Sequence, residues 1–384
     1  MTVTSVSPGT VSITTERGVT QTATLSLAHE KLAFAIDRGR REGASTLERV
    51  KRDIPQDSIV RAGAMSFVPR PDAPKGDYRV ALQFGENGSQ RTIGKHAFAQ
   101  LAGRAGVPSE YLTDLATSTT PWERDLAIRI MNDHLHEGHG ADRLLVRSVY
   151  EQVRGVLSDK YRRLDSLPLL SAFAQECQAL GAVPTGGTAS EVRVALKAIL
   201  PTIYEPIPGE ALAIGVEWFN SDFGAGKYGI RSYILRLVCL NGATAEDTFS
   251  QVHLGGRLSE DVDYSTKTLR LDTEATESAT RDHVRALLNP VRVDQSLAML
   301  KAANEKHINW TSAKTKLAKS LLKGELQKVQ DAFEGADVIN LPPGSTEYRL
   351  SNAISWIANT AEDADRKLEL ERLAGSFFAL PKAA

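Results

Sequence analysis

The sequence lacks three features that would assign a protein to a class at once. Only two cysteines, Cys177 and Cys239, occur among its 384 residues, and both are predicted to be small buried hydrophobic residues rather than a disulfide. No apolar run reaches about 18 residues, so we expect no transmembrane helix. The formal net charge is −1, which excludes a uniformly basic nucleic-acid binder and leaves only a local basic patch for a polyanion.

The N-terminal segment also lacks a basic region followed by an apolar core. Secretory signals carry both features, so the predicted location is the cytoplasm and the predicted partners include no membrane. No nucleophile motif or nucleotide-binding loop occurs, and no cofactor is predicted.

The composition that is present is typical of a soluble globular protein, with 42% hydrophobic and 24% charged residues. The pattern of elements predicts an α+β fold with a central, mainly antiparallel sheet, an α/β N-terminal portion and a helical C-terminal region. Four parts are expected: residues 1–24 as a flexible arm, 25–140 as the N-terminal α/β portion, 141–273 as the central sheet domain and 274–384 as the helical C-terminal region.

The central part carries the clearest strand pattern. Apolar residues alternate with polar ones from Val192 to Leu200, which predicts a half-buried strand. Further strands are predicted at 211–219 and 230–240, on either side of a glycine-rich turn. Loops or turns are predicted at 181–190 and at Asn241-Gly242, and helices at 25–43, 167–180, 312–333 and 348–373.

Basic residues beside aromatic ones form the strongest functional candidate in this region. Lys160, Arg162 and Arg163 surround Tyr161 in one turn, and single-stranded nucleic acid needs both positive charge for its phosphates and rings for its bases. If the predicted strands are neighbours, further basic residues join them in one stripe. The predicted nucleic-acid-binding residues are Arg154, Lys160, Tyr161, Arg162, Arg163, Arg193, Lys197, Lys227, Arg231 and Arg236.

The same basic residues have a second interpretation. Acidic residues occur near them in the sequence, and a solvated sheet face with paired charges would bind nothing. The expected acidic partners in that case are Asp159, Asp165, Glu191 and Glu217.

The predicted helix 312–333 also has two readings. Lys316, Lys319 and Lys323 share one face and could follow a phosphate backbone, or they could form an ordinary solvated face. Apolar residues of the C-terminal region are candidates for contact with a second copy of the chain. They are Trp310, Leu317, Leu321, Trp356, Ile357, Leu368, Phe377 and Phe378.

Three histidines, His134, His136 and His139, form the densest group of possible metal ligands. Their spacing matches no standard zinc motif, and His134 and His136 point apart on a helix. The favoured interpretation is a polar helix end, with a metal-dependent nuclease as the alternative.

Four segments taken in order resemble the phage- and plasmid-encoded "domain of unknown function 932" family. They lie at Ile93–Leu112, at Val153–Asp165, at Phe219–Gly224 with Leu235–Gly242, and at Ser351–Ile354. The resemblance implies a protein of a mobile element that acts on DNA inside a bacterial host. In element order, the centre is similar in outline to the core of phage single-strand annealing proteins.

These observations together predict a DNA-binding protein of a phage or mobile element. The expected activity is binding or annealing of single-stranded DNA in recombination or replication, by an oligomer of identical subunits. The alternative is a protein-interaction module that blocks a host defence or regulatory protein.

Overall fold

The computed structural model describes residues 19–85, 88–251, 264–335 and 341–378, and eleven α-helices and twelve strands lie within these ranges. The helices are α1 (Val19–Arg52), α2 (Lys95–Arg104), α3 (Ser109–Thr117), α4 (Pro121–Asp133), α5 (Ser166–Ala179), α6 (Thr266–Leu287), α7 (Pro290–Glu305), α8 (Trp310–Leu317), α9 (Lys323–Glu334), α10 (Glu347–Thr360) and α11 (Ala364–Gly375). The strands are β1 (Gln56–Arg61), β2 (Ser66–Pro69), β3 (Val80–Phe84), β4 (Ser89–Ile93), β5 (Arg143–Val149), β6 (Gln152–Ser158), β7 (Val183–Ala189), β8 (Val194–Ile199), β9 (Tyr204–Ile207), β10 (Glu210–Asn220), β11 (Tyr228–Arg236) and β12 (Asn241–Gln251).

The first sheet has the strand order β1-β5-β6-β4-β3-β2. Neighbouring strands are antiparallel except for β4 and β6, which are parallel. Helices α2 to α4 cover this sheet, and their apolar side chains share one core with its strands. Phe98 of α2 stacks on Tyr78 with ring centroids 4.4 Å apart and meets Phe67 of β2 edge to face. Helix α2 is therefore fixed on the first sheet by aromatic packing.

The second sheet is entirely antiparallel, in the order β12-β11-β10-β8-β7 with β9 beside β10. The alternation predicted from Val192 to Leu200 is that of β8, whose two faces are both covered. Helices α5 and α6 pack on one face, where Trp218, Tyr228 and Ile230 are fully buried. The opposite face carries charged residues and is described with the site below.

Helix α1 lies against β7, and small residues make this contact possible. Ala35 is fully buried, and a side-chain carbon placed on Gly39 would overlap the backbone of Thr185. On the strand side, a carbon on Gly187 would lie 2.6 Å from the Thr46 hydroxyl oxygen. The backbones of α1 and β7 are therefore in direct contact, and this contact fixes the position of α1 on the second sheet.

The turn between β10 and β11 joins the two sheets. The carbonyl oxygen of Phe223 accepts hydrogen bonds from His96 Nε2 and Gln100 Nε2 of α2, each at 3.0 Å. Phe223 itself is buried, and its backbone lies close to Gly155 of β6. The glycine-rich turn predicted as a plain hairpin is thus also a contact between the two halves of the chain.

The C-terminal helices α7 to α11 form a third core with the end of the second sheet. Leu317, Leu321 and Ile357 are buried in it, and Trp310 and Trp356 pack against it. These residues, together with the partly buried Phe377, were candidates for contact with a second copy. They pack against the chain's own core, and Leu368 is half-buried; Phe378 lies at the end of the described range.

The predicted α+β class, with mainly antiparallel strands and a helical C-terminal region, is confirmed. Within the described residues, no helix is long and apolar enough to cross a membrane. Cys177 and Cys239 are both free, and Cys177 is buried. Strands β5 and β6, grouped with the central sheet by the sequence, pair with strands of the first sheet.

Several elements of the structure differ from those expected from the sequence. Residues 19–24, assigned to a flexible arm, belong to α1, and residues 1–18 lie outside the described ranges. The predicted loop 181–190 contains β7, whose backbone pairs with β8 although Gly186 and Gly187 give no apolar alternation. Asn241-Gly242 begins β12, because the turn before it ends at Leu240 with a positive φ of 56°.

The predicted helix 312–333 was also wrong, because two helices, α8 and α9, occupy this segment. Leu322 is extended between them. The Glu325 carboxylate accepts a hydrogen bond from the Leu322 amide at 2.9 Å, and this contact starts the second helix.

Candidate nucleic-acid interface

Two of the predicted basic residues flank a buried carboxylate on the second sheet. Glu217 of β10 stands opposite Lys197 of β8 and Arg231 of β11, so the three side chains form one row across the strands. Glu217 is fully buried and accepts a hydrogen bond from Arg231 Nε, while Lys197 Nζ lies 3.8 Å from its other oxygen. We call these three residues the charged row.

Helix α11 covers the charged row from one side. Its Glu371 forms an ion pair with Lys197, and its Glu369 lies 3.5 Å from Arg193, the residue before β8. Arg193 Nε also donates to the carbonyl oxygen of Ala225 at 2.9 Å. Acidic residues from a helix far along the chain therefore lie against Arg193 and Lys197.

The predicted turn around Tyr161 is engaged in a similar way. The Tyr161 hydroxyl donates to the Ser221 carbonyl oxygen at 3.1 Å. Arg162 binds both oxygens of Asp272 on α6, at 2.7 and 2.5 Å, and Arg163 lies 3.2 Å from Asp57. These side chains hold the turn to its neighbours.

The remaining predicted residues also have partners inside the chain. Arg154 Nη1 donates to Asp53 at 2.9 Å, and Arg236 binds the buried carboxylate of Glu210 with two nitrogens. Lys160 and Lys227 are engaged as well. The arrangement is closer to the paired-charge interpretation, and the role of these residues in nucleic-acid binding stays a prediction.

The acidic partners differ in part from the expected ones. Glu217 pairs as expected, Asp159 lies 3.7 Å from Arg143, and Asp165 binds Arg147 at 2.5 Å. Most other partners come from far along the chain, which local sequence could not indicate.

Arg147 of β5 is a residue that the sequence analysis missed. It is 1% exposed, and its guanidinium contacts Asp57, Asp165 and the Asp222 carbonyl oxygen at 2.8, 2.5 and 2.7 Å. Burial alone would lower the pKa of Arg147. The carboxylates of Asp165 and Asp57 outweigh this effect and raise the pKa above its ordinary value. The sequence did contain a signal for this residue, because an arginine within an apolar strand needs charged or polar partners when it is buried.

Asp222 lies beside Arg147 at the contact between the two sheets. Its Oδ1 accepts hydrogen bonds from the Ser166 amide, the Ser166 hydroxyl and Asn220 Nδ2, at 2.8, 2.7 and 3.1 Å. Burial nevertheless raises the pKa of Asp222 to about 6; Arg147 opposes this rise and Asp165 adds to it.

The raised pKa of Asp222 predicts a pH dependence of stability. Between its ordinary value of 3.8 and about 6, the unfolded chain releases this proton first. The contribution of Asp222 to stability is therefore full at low pH, falls as the pH rises through this window and is constant above it. Asp222→Asn removes the titration and keeps the shape. We expect the free energy of unfolding of the native protein to fall relative to the variant by about 3 kcal/mol across the window.

Urea unfolding of both proteins at intervals from pH 4 to 7 measures this difference. The variant is the matched reference, because every other titrating group is shared. A difference that stays constant with pH would contradict the raised pKa of Asp222.

The three histidines do not converge. They lie at a π-helical turn, His134–Gly138, and its cap. His136 Nε2 lies 2.8 Å from the Met65 carbonyl oxygen, and His139 Nδ1 lies 3.0 Å from Asp142. No group of three histidine, cysteine or acidic side chains suited to a metal forms in the part of the chain that the structure describes.

The structure exposes a different basic surface, on α8, α9 and the turn between them. From Lys306 to Lys328 the chain has six lysines and one carboxylate, Glu325, and Glu325 pairs with Arg366 of α11 at 2.5 Å. Lys306 pairs with Glu347. The other five are exposed and form no ion pair with any described residue. We call them the lysine surface: Lys314, Lys316, Lys319, Lys323 and Lys328.

An open groove of about 440 Å³ adjoins the start of this surface. It is lined by His307, Trp310 and Phe333, among others, and the Trp310 and Phe333 rings lie 6.1 Å apart. Asn309 caps α8 by accepting a hydrogen bond from the Ser312 amide at 2.8 Å, which fixes Trp310 at the first helical position. Lys314 follows Trp310 by one helical turn, so the two share a face.

Comparisons with protein families, with curated proteins and with solved structures find no match to this chain. The family resemblance noted in the sequence therefore stays a prediction.

Proposed function

We propose that this protein binds single-stranded nucleic acid through the lysine surface and the aromatic groove beside it. The observation that supports the proposal most directly is the set of five exposed lysines without ion-pair partners among the described residues. A protein with a net charge of −1 needs such a local concentration of charge to attract a polyanion.

The chemistry of the site matches a single strand better than a duplex. Lysines on successive helical turns neutralise phosphates and release their counterions. Trp310 is half-buried and lines the groove, where the exposed part of its ring would meet an unpaired base. Bases of a duplex are already stacked on one another, so they gain nothing from the groove.

The wider role belongs to the same proposal and rests on the resemblance in the sequence. A phage or mobile-element protein that binds or anneals single strands in recombination or replication would present a strand on this surface. Outside the lysine surface the chain is net acidic, which would keep the rest of the molecule from binding nucleic acid.

Fluorescence anisotropy of labelled oligo-dT, titrated with protein at several salt concentrations, tests the proposal. The variant Lys314→Gln/Lys316→Gln/Lys319→Gln/Lys323→Gln removes four charges from exposed positions. We expect roughly tenfold or greater loss of affinity at low salt, and a slope of log affinity against log salt that is flatter by about 3, since each lost phosphate contact removes about 0.7.

The matched control changes four exposed lysines that lie elsewhere, in Lys51→Gln/Lys75→Gln/Lys95→Gln/Lys267→Gln. It makes the same change in net charge, so equal losses in both variants would mean that the lysine surface is no site. The variant Arg162→Ala/Arg163→Ala, checked for folding by circular dichroism, tests the turn predicted from the sequence in the same assay. Absence of binding by the native protein at low salt would remove the proposal altogether.

A further inference from the structure

A small polar cavity lies between α1, β7, β8 and α11. Its volume is about 30 Å³. The residues that matter for its chemistry are Arg38, Glu42, Thr185, Tyr233, Lys367 and Glu371, all of which line it. Lys197, one of the three residues of the charged row, also lines it.

The ion pairs around the cavity account for every charged side chain of its lining except Lys367, which is a cation. Arg38 lies 3.6 Å from Glu42 on α1, Lys197 pairs with Glu371, and Arg231 pairs with Glu217. The side-chain ammonium of Lys367 forms no ion pair or hydrogen bond with any described residue. Burial lowers the pKa of Lys367 most strongly. Glu371 and, more weakly, Glu42 oppose this effect, while Lys197 and Arg38 lower the pKa further. A bound anion would compensate the charge of this lysine.

Hydroxyl groups around the cavity also lack partners. Tyr233 is 4% exposed, and its hydroxyl makes no hydrogen bond to the described residues. Burial raises the pKa of Tyr233, so the hydroxyl keeps its proton and can donate it. Thr185 is 2% exposed, and its Oγ1 is buried without a hydrogen-bond partner. Unpaired polar groups that are this deeply buried are rare unless something else satisfies them.

We propose that this cavity binds an oxyanion, a carboxylate or a phosphoryl group, beside Lys367 and the Tyr233 hydroxyl. An ammonium and a hydroxyl without partners are both donors, and the surplus charge of the lining is positive. A cavity of about 30 Å³ holds a group of this size and no ring, so any larger part of a ligand must stay outside. The site is separate from the lysine surface and does not depend on nucleic-acid binding.

Thermal unfolding of the full chain tests the site, with inorganic phosphate or acetate replacing chloride at constant ionic strength. A ligand that binds the folded state raises the midpoint, and we expect a rise of at least about 2 °C in one of the two anions. A rise with acetate alone identifies a carboxylate site, and a rise with phosphate alone identifies a phosphoryl site.

Two variants locate the effect. Lys367→Gln should abolish the anion-dependent rise and Tyr233→Phe should reduce it by at least half, whatever their midpoints in chloride. Lys301→Gln, at an exposed position on α7, is the matched control and should retain the full rise. The proposal is overturned if neither anion raises the midpoint, or if Lys367→Gln shows the same rise as the native protein.

Discussion

Replacement of Gly39 by alanine should destabilise the protein by about 3 kcal/mol or more. Alanine normally stabilises a helix relative to glycine by about 1 kcal/mol, so the expected sign is the reverse of the usual one. The reason is the contact of α1 with β7, where the added methyl group would overlap the Thr185 backbone. Backbone cannot move aside as a flexible side chain can, so α1 must shift away from the strand.

Gly103→Ala is the matched control for this substitution. Gly103 lies in α2, is exposed, and has open space where the methyl group would go. This variant should be unchanged or more stable by up to about 1 kcal/mol. Urea unfolding of both variants gives the comparison. If the two have equal stability, α1 does not pack on β7 at Gly39.

Replacement of Glu217 by glutamine should cost about 3 to 5 kcal/mol. The variant keeps the shape of the side chain and removes the charge that faces Arg231 and Lys197. Because Glu217 is fully buried, water cannot replace it as the partner of these cations. Loss of one member of a buried charge pair leaves the other uncompensated in a medium that solvates it poorly.

Two further variants separate this effect from a general loss of charge. Glu369→Gln removes a carboxylate that is 52% exposed and lies 3.5 Å from Arg193, and should cost less than about 1 kcal/mol. Glu217→Met/Arg231→Met removes the pair together and leaves Lys197 with Glu371, so it should be more stable than Glu217→Met alone. Equal costs for Glu217→Gln and Glu369→Gln would show that the charged row is not stabilising.

The fold class was predictable because its signals are local. Alternation from Val192 to Leu200 marked a strand, and that strand is β8. The strand β7 was missed because its sequence, with Gly186 and Gly187, reads as a loop. What makes it a strand is pairing with β8 and close contact with α1, and neither is visible within the segment itself.

The candidate site was less predictable, for a reason that concerns electrostatics. Most counterions of the predicted arginines and lysines lie far along the chain: Glu371 is 174 residues from Lys197, and Asp272 is 110 residues from Arg162. The sequence around a basic residue in a strand therefore does not indicate whether that residue has an ion-pair partner in the fold. The lysine surface could be read from the sequence, since six lysines accompany one carboxylate between Lys306 and Lys328.

The cover of α11 over the charged row has a consequence during synthesis. Strand β8 leaves the ribosome long before α11, so Lys197 has no Glu371 to face until almost all of the described chain has been made. Glu217 and Arg231 arrive earlier and can pair within the sheet. The second sheet can therefore collapse early around its apolar face, but its polar face closes only when α11 docks. We therefore expect the ion pair between Lys197 and Glu371 of α11 to be among the last contacts to form on this face.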